Sequence, residues 1–533
     1  MTVSEVVNEI NIECVNLCFM SDTVKDVFIA SQTFYAQQGE TPMLFQLVQA
    51  SLTITNGSKI HSQDRLVNSF QSTLIFEDSF LYDMAISDTS IQTTQSTLEF
   101  NRMTVYNITN SNKKQFILAN LDSDFRINDV QYSDSSSILF SLRSSEMSAN
   151  NLTFTNIVDT HYLFSLFSVS SAQISNFGAT NSTSQLQNLI DVRYSAGINF
   201  SNFTLADVNS TVIAVSDSNI TEMSGMDIQN SHKAFRIVDS KVSLIKDSVF
   251  IHNGAENSIT GGAFQIYNSD VSIQNTSFND NMADTGAGIH FNCNSMTLCN
   301  LSIDNSTFDS NSAETKGGAI YYGYNRPMLV DMLFSNNSAT YGPDLASYAV
   351  KIRIQGSDTE TIVLDNIGSG IANEEPFTLE LLDFDNQVMV MNNENQITIS
   401  AMNRSQASVS GANSRQLDSG VATFDSFIAI GDPGSKGVKF QASSKSISNA
   451  KVTQVHGTAF DNLIDINFRM CKPGEYTSSS KECVECSAGT YSLIWEADTC
   501  LSCIDDVVCL GKDELYLNEG FWRMTANSTK IIE

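Results

Sequence analysis

Charge is scarce in this sequence, and so are proline and long apolar runs. Only 17% of the 533 residues are charged, and six are proline. Long amphipathic helices draw on Ala, Glu, Lys and Leu, and no convincing one occurs. No segment reaches the roughly 18 consecutive apolar residues that a membrane-crossing helix needs. The N-terminus, MTVSEVVNEINIECVNLC, has no basic stretch followed by an apolar one, so it does not read as a secretory signal. Basic residues are the rarer sign: 29 Lys+Arg stand against 59 Asp+Glu, a formal charge of −30. Such a surface repels phosphate and excludes nucleic acid as a partner. The six histidines are scattered with no H-E-x-x-H pair, and no Walker loop, G-x-S-x-G elbow or dinucleotide fingerprint occurs.

What remains is apolar enough to fold, at 41%, and long enough for about two to four domains. Its polarity comes from abundant Ser, Thr and Asn. Short polar side chains of this kind suit the turns and ladders of a β-rich extracellular protein.

A short apolar pair recurs along the first two thirds: Leu52/Ile54, Leu74/Phe76, Leu98/Phe100, Phe125/Ile127, Ile198/Phe200, Val242/Leu244, Val271/Ile273 and Leu301/Ile303. Weaker copies sit at Met147, Ile174, Ile220 and Leu329. That makes about twelve rungs, roughly 22 to 30 residues apart. A serine stands two places before the rung at Ser72, Ser96, Ser123, Ser145, Ser218, Ser240 and Ser269. A residue holding one position per coil stacks on its equivalent in the next, and a hydroxyl there can bond to its neighbour's backbone.

From residue 250 the pattern sharpens to F-x-x-N: Phe250/Asn253, Phe278/Asn281, Phe308/Asn311 and Phe334/Asn337. Small-residue turns follow, at Gly261-Gly262-Ala263, Gly286-Ala287-Gly288, Gly317-Gly318-Ala319 and Gly342-Pro343. An inward Phe fills a coil, an inward Asn caps backbone groups at a corner, and glycine permits φ > 0. Together these features predict an all-β fold that begins with a parallel β-helix of about twelve coils. A propeller blade needs about 40 to 45 residues, too long for this period, and the Leu-dense signature of a leucine-rich repeat is absent.

The F-x-x-N and Gly-Gly-Ala-Ile elements resemble the repeat of bacterial polymorphic outer-membrane proteins. That resemblance implies a right-handed, pectin-lyase-like β-helix acting in adhesion.

After Tyr341-Gly342-Pro343 the period stops. Segments such as AVKIRI, FTLELLDFD, QITISAM and GVKFQAS alternate with turns, which predicts an antiparallel β-sandwich over 346–470. GVATF and the downstream DPGS resemble immunoglobulin-like modules of the filamin or invasin kind. Asp383, Asp385 and Asn386 form either a solvated turn or an oxygen site for calcium. The turn is the simpler reading, and no cofactor is expected.

Six of ten cysteines lie in the last stretch: Cys471, Cys483, Cys486, Cys500, Cys503 and Cys509. C-x2-C pairs can also hold zinc. Six cysteines with Gly-x-Tyr after two of them (Gly474/Tyr476, Gly489/Tyr491) favour disulfide staples in a segment too small to fold alone. A sequential pairing is preferred among the roughly fifteen connectivities that six cysteines allow. Cys293 and Cys299 suit a local disulfide, while Cys14 and Cys18 are undecided. Residues 471–533, ending in Gly520-Phe521-Trp522-Arg523, resemble the ephrin-receptor-like cysteine-rich module of protist surface proteins. There it follows β-helix repeats and precedes membrane helices.

The expected organisation is therefore an uncertain segment over 1–40 that could supply a first coil, a β-helix over 41–345, a sandwich over 346–470 and a cysteine-rich module over 471–533. Lyases need clustered acids for calcium with an Arg or Lys base, and hydrolases need paired carboxylates. No such set recurs at the coil spacing, and His252 and His290 read as ordinary coil residues. The chain is thus expected to be no enzyme. It reads as the extracellular part of a membrane-anchored surface protein, in adhesion or recognition of an unknown surface ligand, carbohydrate or protein. Its membrane contact would lie in sequence missing from this chain. A surface coat and a carbohydrate-active enzyme are the alternatives. Fourteen N-x-[ST] sequons exceed the roughly ten that composition gives by chance. The count permits glycosylation, with Asn275 and Asn305 as outward-facing candidates.

Overall fold

The computed structural model describes residues 45–533 apart from 56, 62–64, 87, 111–114, 137, 159–161, 183–187, 255–258, 295–298, 358, 360 and 374. Before residue 45 it describes the strands Phe19–Met20, Asp26–Ala30 and Thr33–Phe34. Cys14 and Cys18 lie outside the described residues. The chain forms two compact units, Met1–Ala346 and Ser347–Glu533.

The first unit is a β-solenoid. One side is a sheet of fourteen parallel strands in strict chain order, from Phe19–Met20 to Leu345–Ala346. Both of those end strands are two residues long. The other sides come from strands that turn a corner without a break. Thr97–Asn110 pairs first with Thr73–Glu77 and then with Phe80–Ile86.

The repeat explains this directly. Leu52, Leu74, Leu98, Phe125 and Met147 stack in register and are all buried. One rung differs from the expectation. Val242 pairs with Val271, but its inward partner is Ile245, which stacks on Ile273, because a bulge inserts a residue and turns Leu244 away. The predicted serines form a hydrogen-bonded ladder. The Oγ atoms of Ser72, Ser96, Ser123, Ser218, Ser240 and Ser269 accept a backbone N–H of the preceding coil, as in Ser72 N to Ser96 Oγ (3.1 Å) and Ser218 N to Ser240 Oγ (3.1 Å). Phe278 and Phe308 stack at 4.6 Å, flanked by Phe250 and Phe334.

The corners demand left-handed backbone. Asp129, Asn151, Asn176, Asn202, Gly225, Asp247, Asn275 and Asn305 all have φ between 44° and 60°. Asn and Asp tolerate that region where bulkier residues do not. At the Gly-rich corner, a Cβ on Gly261 would stand 2.2 Å from the Phe264 carbonyl oxygen.

The second unit opens with a three-stranded antiparallel sheet, Lys351–Ile354, Phe377–Leu382 and Val421–Phe424. A five-stranded sheet shares its core, including Leu379, Phe424, Ile399, Phe440 and Ile464. It departs from a purely antiparallel sandwich, since Ile362–Ile367 pairs parallel to Leu463–Phe468. A single helix among the described residues, Asn449–His456, was not anticipated. Asp383 is buried, not solvated. Its Oδ1 accepts the N–H groups of Asp385 and Gln387, both at 2.9 Å, so the turn itself uses that carboxylate.

The last residues form three hairpins stapled by Cys471–Cys483, Cys486–Cys500 and Cys503–Cys509, with Cys293–Cys299 in the solenoid. Glu475 lies beside the Cys471–Cys483 bridge and is clamped by Arg469 at 2.8 and 2.9 Å. Sulfurs in a disulfide are not metal ligands, which removes the zinc alternative. The four disulfides among the described residues fit an extracellular or secreted protein. No helix among the described residues is long and apolar enough to cross a membrane.

Candidate active site on the sheet face

Outward side chains of the fourteen-stranded sheet form columns with one residue per coil. One column reads Ser165, Asp191, Ala214, Arg236, Gln265, His290 and Tyr321. Two residues further along the strands, a second reads Arg143, Phe167, Arg193, Ser216, Val238 and Tyr267. Upstream the same two columns hold only uncharged residues, such as Asn68, Gln92, Thr94 and Asn120.

Asp191 is 4% exposed. Its carboxylate accepts Asn188 Nδ2 (3.1 Å) and Arg193 Nη2 (3.1 Å), and Arg193 Nε lies 2.8 Å from the second oxygen. Burial raises its pKa, only partly offset by Arg193, Asn188 and Arg236. Lys233, at the start of the strand Lys233–Val238, is 7% exposed. Among the described residues no carboxylate forms an ion pair with it. Burial, then the Arg236 charge, pushes its pKa down to about 8.

His290 is 5% exposed and packed between Tyr321 (4.9 Å) and Tyr267 (5.7 Å). Burial, then the charge of Lys233, pushes its pKa down to about 4, against a backbone hydrogen bond at Thr285. Its Nδ1 is buried without a hydrogen-bond partner.

A second thin layer lies beside His290 on this outer face. The strands Met282–Thr285 and Ser312–Lys316 pair with each other beside the sheet. Ala283, Ala287 and Ala313 form a small apolar cluster. Thr285 reaches the His290 ring, and Lys316 Nζ sits 4.9 Å from the centre of the Tyr321 ring. Glycine permits the close approach, because a Cβ on Gly262 would stand 2.5 Å from the Met282 carbonyl oxygen.

A buried lysine titrating near 8 can serve as a proton acceptor near neutral pH, with a neutral fraction of about a tenth at pH 7. Arg236 beside it can hold negative charge. Asp191 is the one carboxylate in these two columns from Arg143 to Tyr321, so the paired carboxylates of a glycoside hydrolase are not assembled here.

The residues singled out from sequence lie elsewhere. Phe250, Phe278 and Phe308 are buried in the solenoid, and Asn253, Asn281 and Asn311 line an inner corner. Phe334 and Asn337 end these stacks, partly buried. Asn275 and Asn305 occupy an exposed corner, where Asn275 Nδ2 donates to Asp247 (2.6 Å). His252 is exposed, with Nε2 3.8 Å from Asp280. His290 is not the ordinary coil residue expected. A separate concavity of about 440 Å³ in the second unit includes Lys351, Arg353 and Phe460. Its cations are already engaged, Arg353 by Glu380 (3.4 Å) and Lys351 by the Phe460 ring (5.2 Å).

No family model and no curated protein matches the chain. Solved structures do. The catalytic domain of a GH87 α-1,3-glucanase in complex with nigerose matches at 13% identity and a TM-score of 0.33, covering 62% of this chain and 62% of that one. A PL6 alginate lyase complexed with a trisaccharide matches at 12% and 0.32, covering 63% and 91%. The tailspike protein of an E. coli bacteriophage, in complex with a pentasaccharide, matches at 8% and 0.26, covering 79% and 86%. The chain thus spans less than two thirds of the glucanase structure. These likenesses concern the fold alone, and none bears on the ephrin-receptor-like resemblance of residues 471–533. The expectation of a non-enzyme is corrected. Carbohydrate-active enzymes stand among the matched structures, and the sheet face carries three buried, perturbed side chains, Asp191, Lys233 and His290, that share no residue type at the coil period.

Proposed function

We propose that this chain is an extracellular carbohydrate-active protein that works on a sugar chain lying along the sheet face. Lys233 is the general base, Arg236 holds negative charge that develops on the sugar, and Asp191 with Arg193 fixes the geometry beside them. The reaction class is proton abstraction from a sugar carbon, as in elimination or epimerisation. The observation that carries this reading is Lys233, a buried amine with no carboxylate partner and a pKa near 8. Perturbed groups of this kind concentrate at functional sites. The single acid in the two columns disfavours hydrolysis. The reading extends to display at the cell surface, which labelling of intact cells tests.

The test compares the intact chain with Lys233→Met on a panel of neutral and acidic polysaccharides, following new unsaturated ends and new reducing ends separately. Turnover should rise as pH passes about 8, where the amine loses its proton. Lys233→Met should lose roughly 10²- to 10⁴-fold in rate. Equal turnover by the variant, or none by either protein across the panel, overturns the proposal.

A further inference from the structure

We infer that the solenoid carries N-linked glycans along two of its corners, at Asn151, Asn202, Asn275 and Asn305 on one and at Asn107, Asn181 and Asn336 on the other. This rests on the secreted reading that the disulfides support and not on Lys233, so its failure leaves the sheet-face chemistry untouched. All seven asparagines are exposed and sit at left-handed positions with φ between 44° and 57°. Each begins an N-x-[ST] acceptor sequence. Asp is the internal control, because it has the shape of Asn, fits the same corner and accepts no glycan. The described solenoid holds eleven Asn and eleven Asp with left-handed φ. A hydroxyl residue stands two places after seven of those Asn but after only one Asp, Asp134 with Ser136. Gln49, Gln71 and Gln95 also precede hydroxyls by two places, at a third corner where that position opens a strand. The one Asn of that corner, Asn268, is followed by Asp270. Between the two isosteric residues, the hydroxyl follows the acceptor amide and not the corner.

The amides are also placed to bear a sugar. Asn107, Asn151, Asn181, Asn202 and Asn275 each donate one Nδ2 hydrogen to an Asp or Asn oxygen of the preceding coil, at 2.5 to 3.1 Å. A primary amide has a second hydrogen. In the transfer Nδ2 bonds to the sugar C1, the C1–O bond to the pyrophosphate of a lipid-linked oligosaccharide breaks, and one Nδ2 proton leaves. The product keeps one N–H, enough to close the same ladder. Spacing fits bulky substituents too. Asn176 lies between Asn151 and Asn202, and Gly178 stands where its hydroxyl would be. That leaves Asn151 and Asn202 two coils apart, about 10 Å. Asn156 lies one coil before Asn181 and is followed by Val158. Asn275 and Asn305 are the exception, in adjacent coils about 4.8 Å apart, too close for two branched glycans at once. Among the described residues no strand of the fourteen-stranded sheet contains a sequon asparagine, so glycans at the corners leave that face bare.

The experiment secretes the full chain from a eukaryotic cell and removes its glycans with an amidase in heavy-oxygen water, which marks each formerly glycosylated Asn as a labelled Asp. Peptide mapping then reads occupancy site by site. Asn107, Asn151, Asn181, Asn202 and Asn336 should be mostly occupied, with Asn275 or Asn305 filled on any one chain but not both. Thr153→Val and Thr204→Val keep the corner asparagine and remove its acceptor hydroxyl. Each should lose one glycan in intact mass while the unfolding midpoint of the deglycosylated chain stays unchanged, which separates a lost acceptor from a lost fold. Empty corner sequons overturn the inference. So does corner occupancy no higher than at Asn199 and Asn219, whose sequons lie on the strands Ala196–Ala206 and Asn219–Gln229.

Discussion

The inner Asn corner and the outer sheet face bury polar groups in the same solenoid, and they do so in opposite ways. At the corner, Asn281 is completely satisfied. Its Oδ1 accepts Asn253 N (2.9 Å) and Nδ2 (3.1 Å), while its own Nδ2 donates to the Phe250 carbonyl (3.1 Å) and to Asn311 Oδ1 (2.9 Å). Asn311 repeats the arrangement with Phe278 and Asn337. On the sheet face, Lys233 is buried without a counter-charge and His290 Nδ1 without a partner. A satisfied buried network rigidifies a fold, whereas an unsatisfied one weakens it. The same chain builds both, so buried polarity alone says little about function. Whether its partners are already present is the telling feature.

The corner should therefore show the largest stability loss on mutation. Asn281→Ala removes two acceptor and two donor bonds and strands the buried Asn253 N–H. A cost of about 2–4 kcal/mol is expected, read as a lower midpoint in thermal or denaturant unfolding of the full chain. A loss below about 1 kcal/mol would mean that water replaces the amide, and the contrast between the two regions would collapse.

How legible each region was in sequence follows from the same distinction. The corner repeats its residue type, so Phe250/Asn253 and its three copies announce themselves at the coil period. The sheet face does not. Asp191, Arg236, Gln265, His290 and Tyr321 share one column but no residue type, and 22 to 31 residues separate each from the next polar or small member. Phasing the chain on the serines, then asking which residues stand at one outward position, would have brought Asp191, Arg236 and His290 together. Lys233, outside that column, would have stayed hidden, because it shares no residue type or outward position with its equivalents in the neighbouring coils. Leu244 was misplaced for a local reason, since a bulge breaks the two-residue alternation on which the rung was read. In the second unit, the parallel pairing of Ile362–Ile367 with Leu463–Phe468 joins segments about a hundred residues apart. Alternation within each strand carries no trace of that partner.

Lys233 should respond with the opposite sign. Its amine takes up a proton at about 8 in the fold and near 10.5 when exposed. Below about pH 8 the charged form is buried at a cost, and stability rises with pH between about 8 and 10.5, where only the unfolded chain is protonated. Lys233→Met keeps the volume and removes the charge, so at neutral pH it should stabilise by about 1–3 kcal/mol while turnover is lost. A gain in stability with a loss of rate is the signature of a group kept for work. A destabilised Lys233→Met would instead put the lysine on the structural side of the comparison, with the Asn ladder.

His290 gives the smallest effect and the sharpest assignment, because its titration lies in a different window. Its pKa is depressed, from 6.5 to about 4. The unfolded chain then binds the proton first as pH falls, so stability drops between about 6.5 and 4. From pH 6.5 to 5.5 the expected loss is about 1 kcal/mol. Carboxylates contribute to acid lability too, so the informative quantity is the difference between parent and His290→Phe, which keeps an aromatic ring between Tyr267 and Tyr321. The variant should lose about that much less over the same interval. If the two profiles run parallel, the imidazole is reached by water or by a partner in solution, and the sheet face is less sealed than its overlying layer implies.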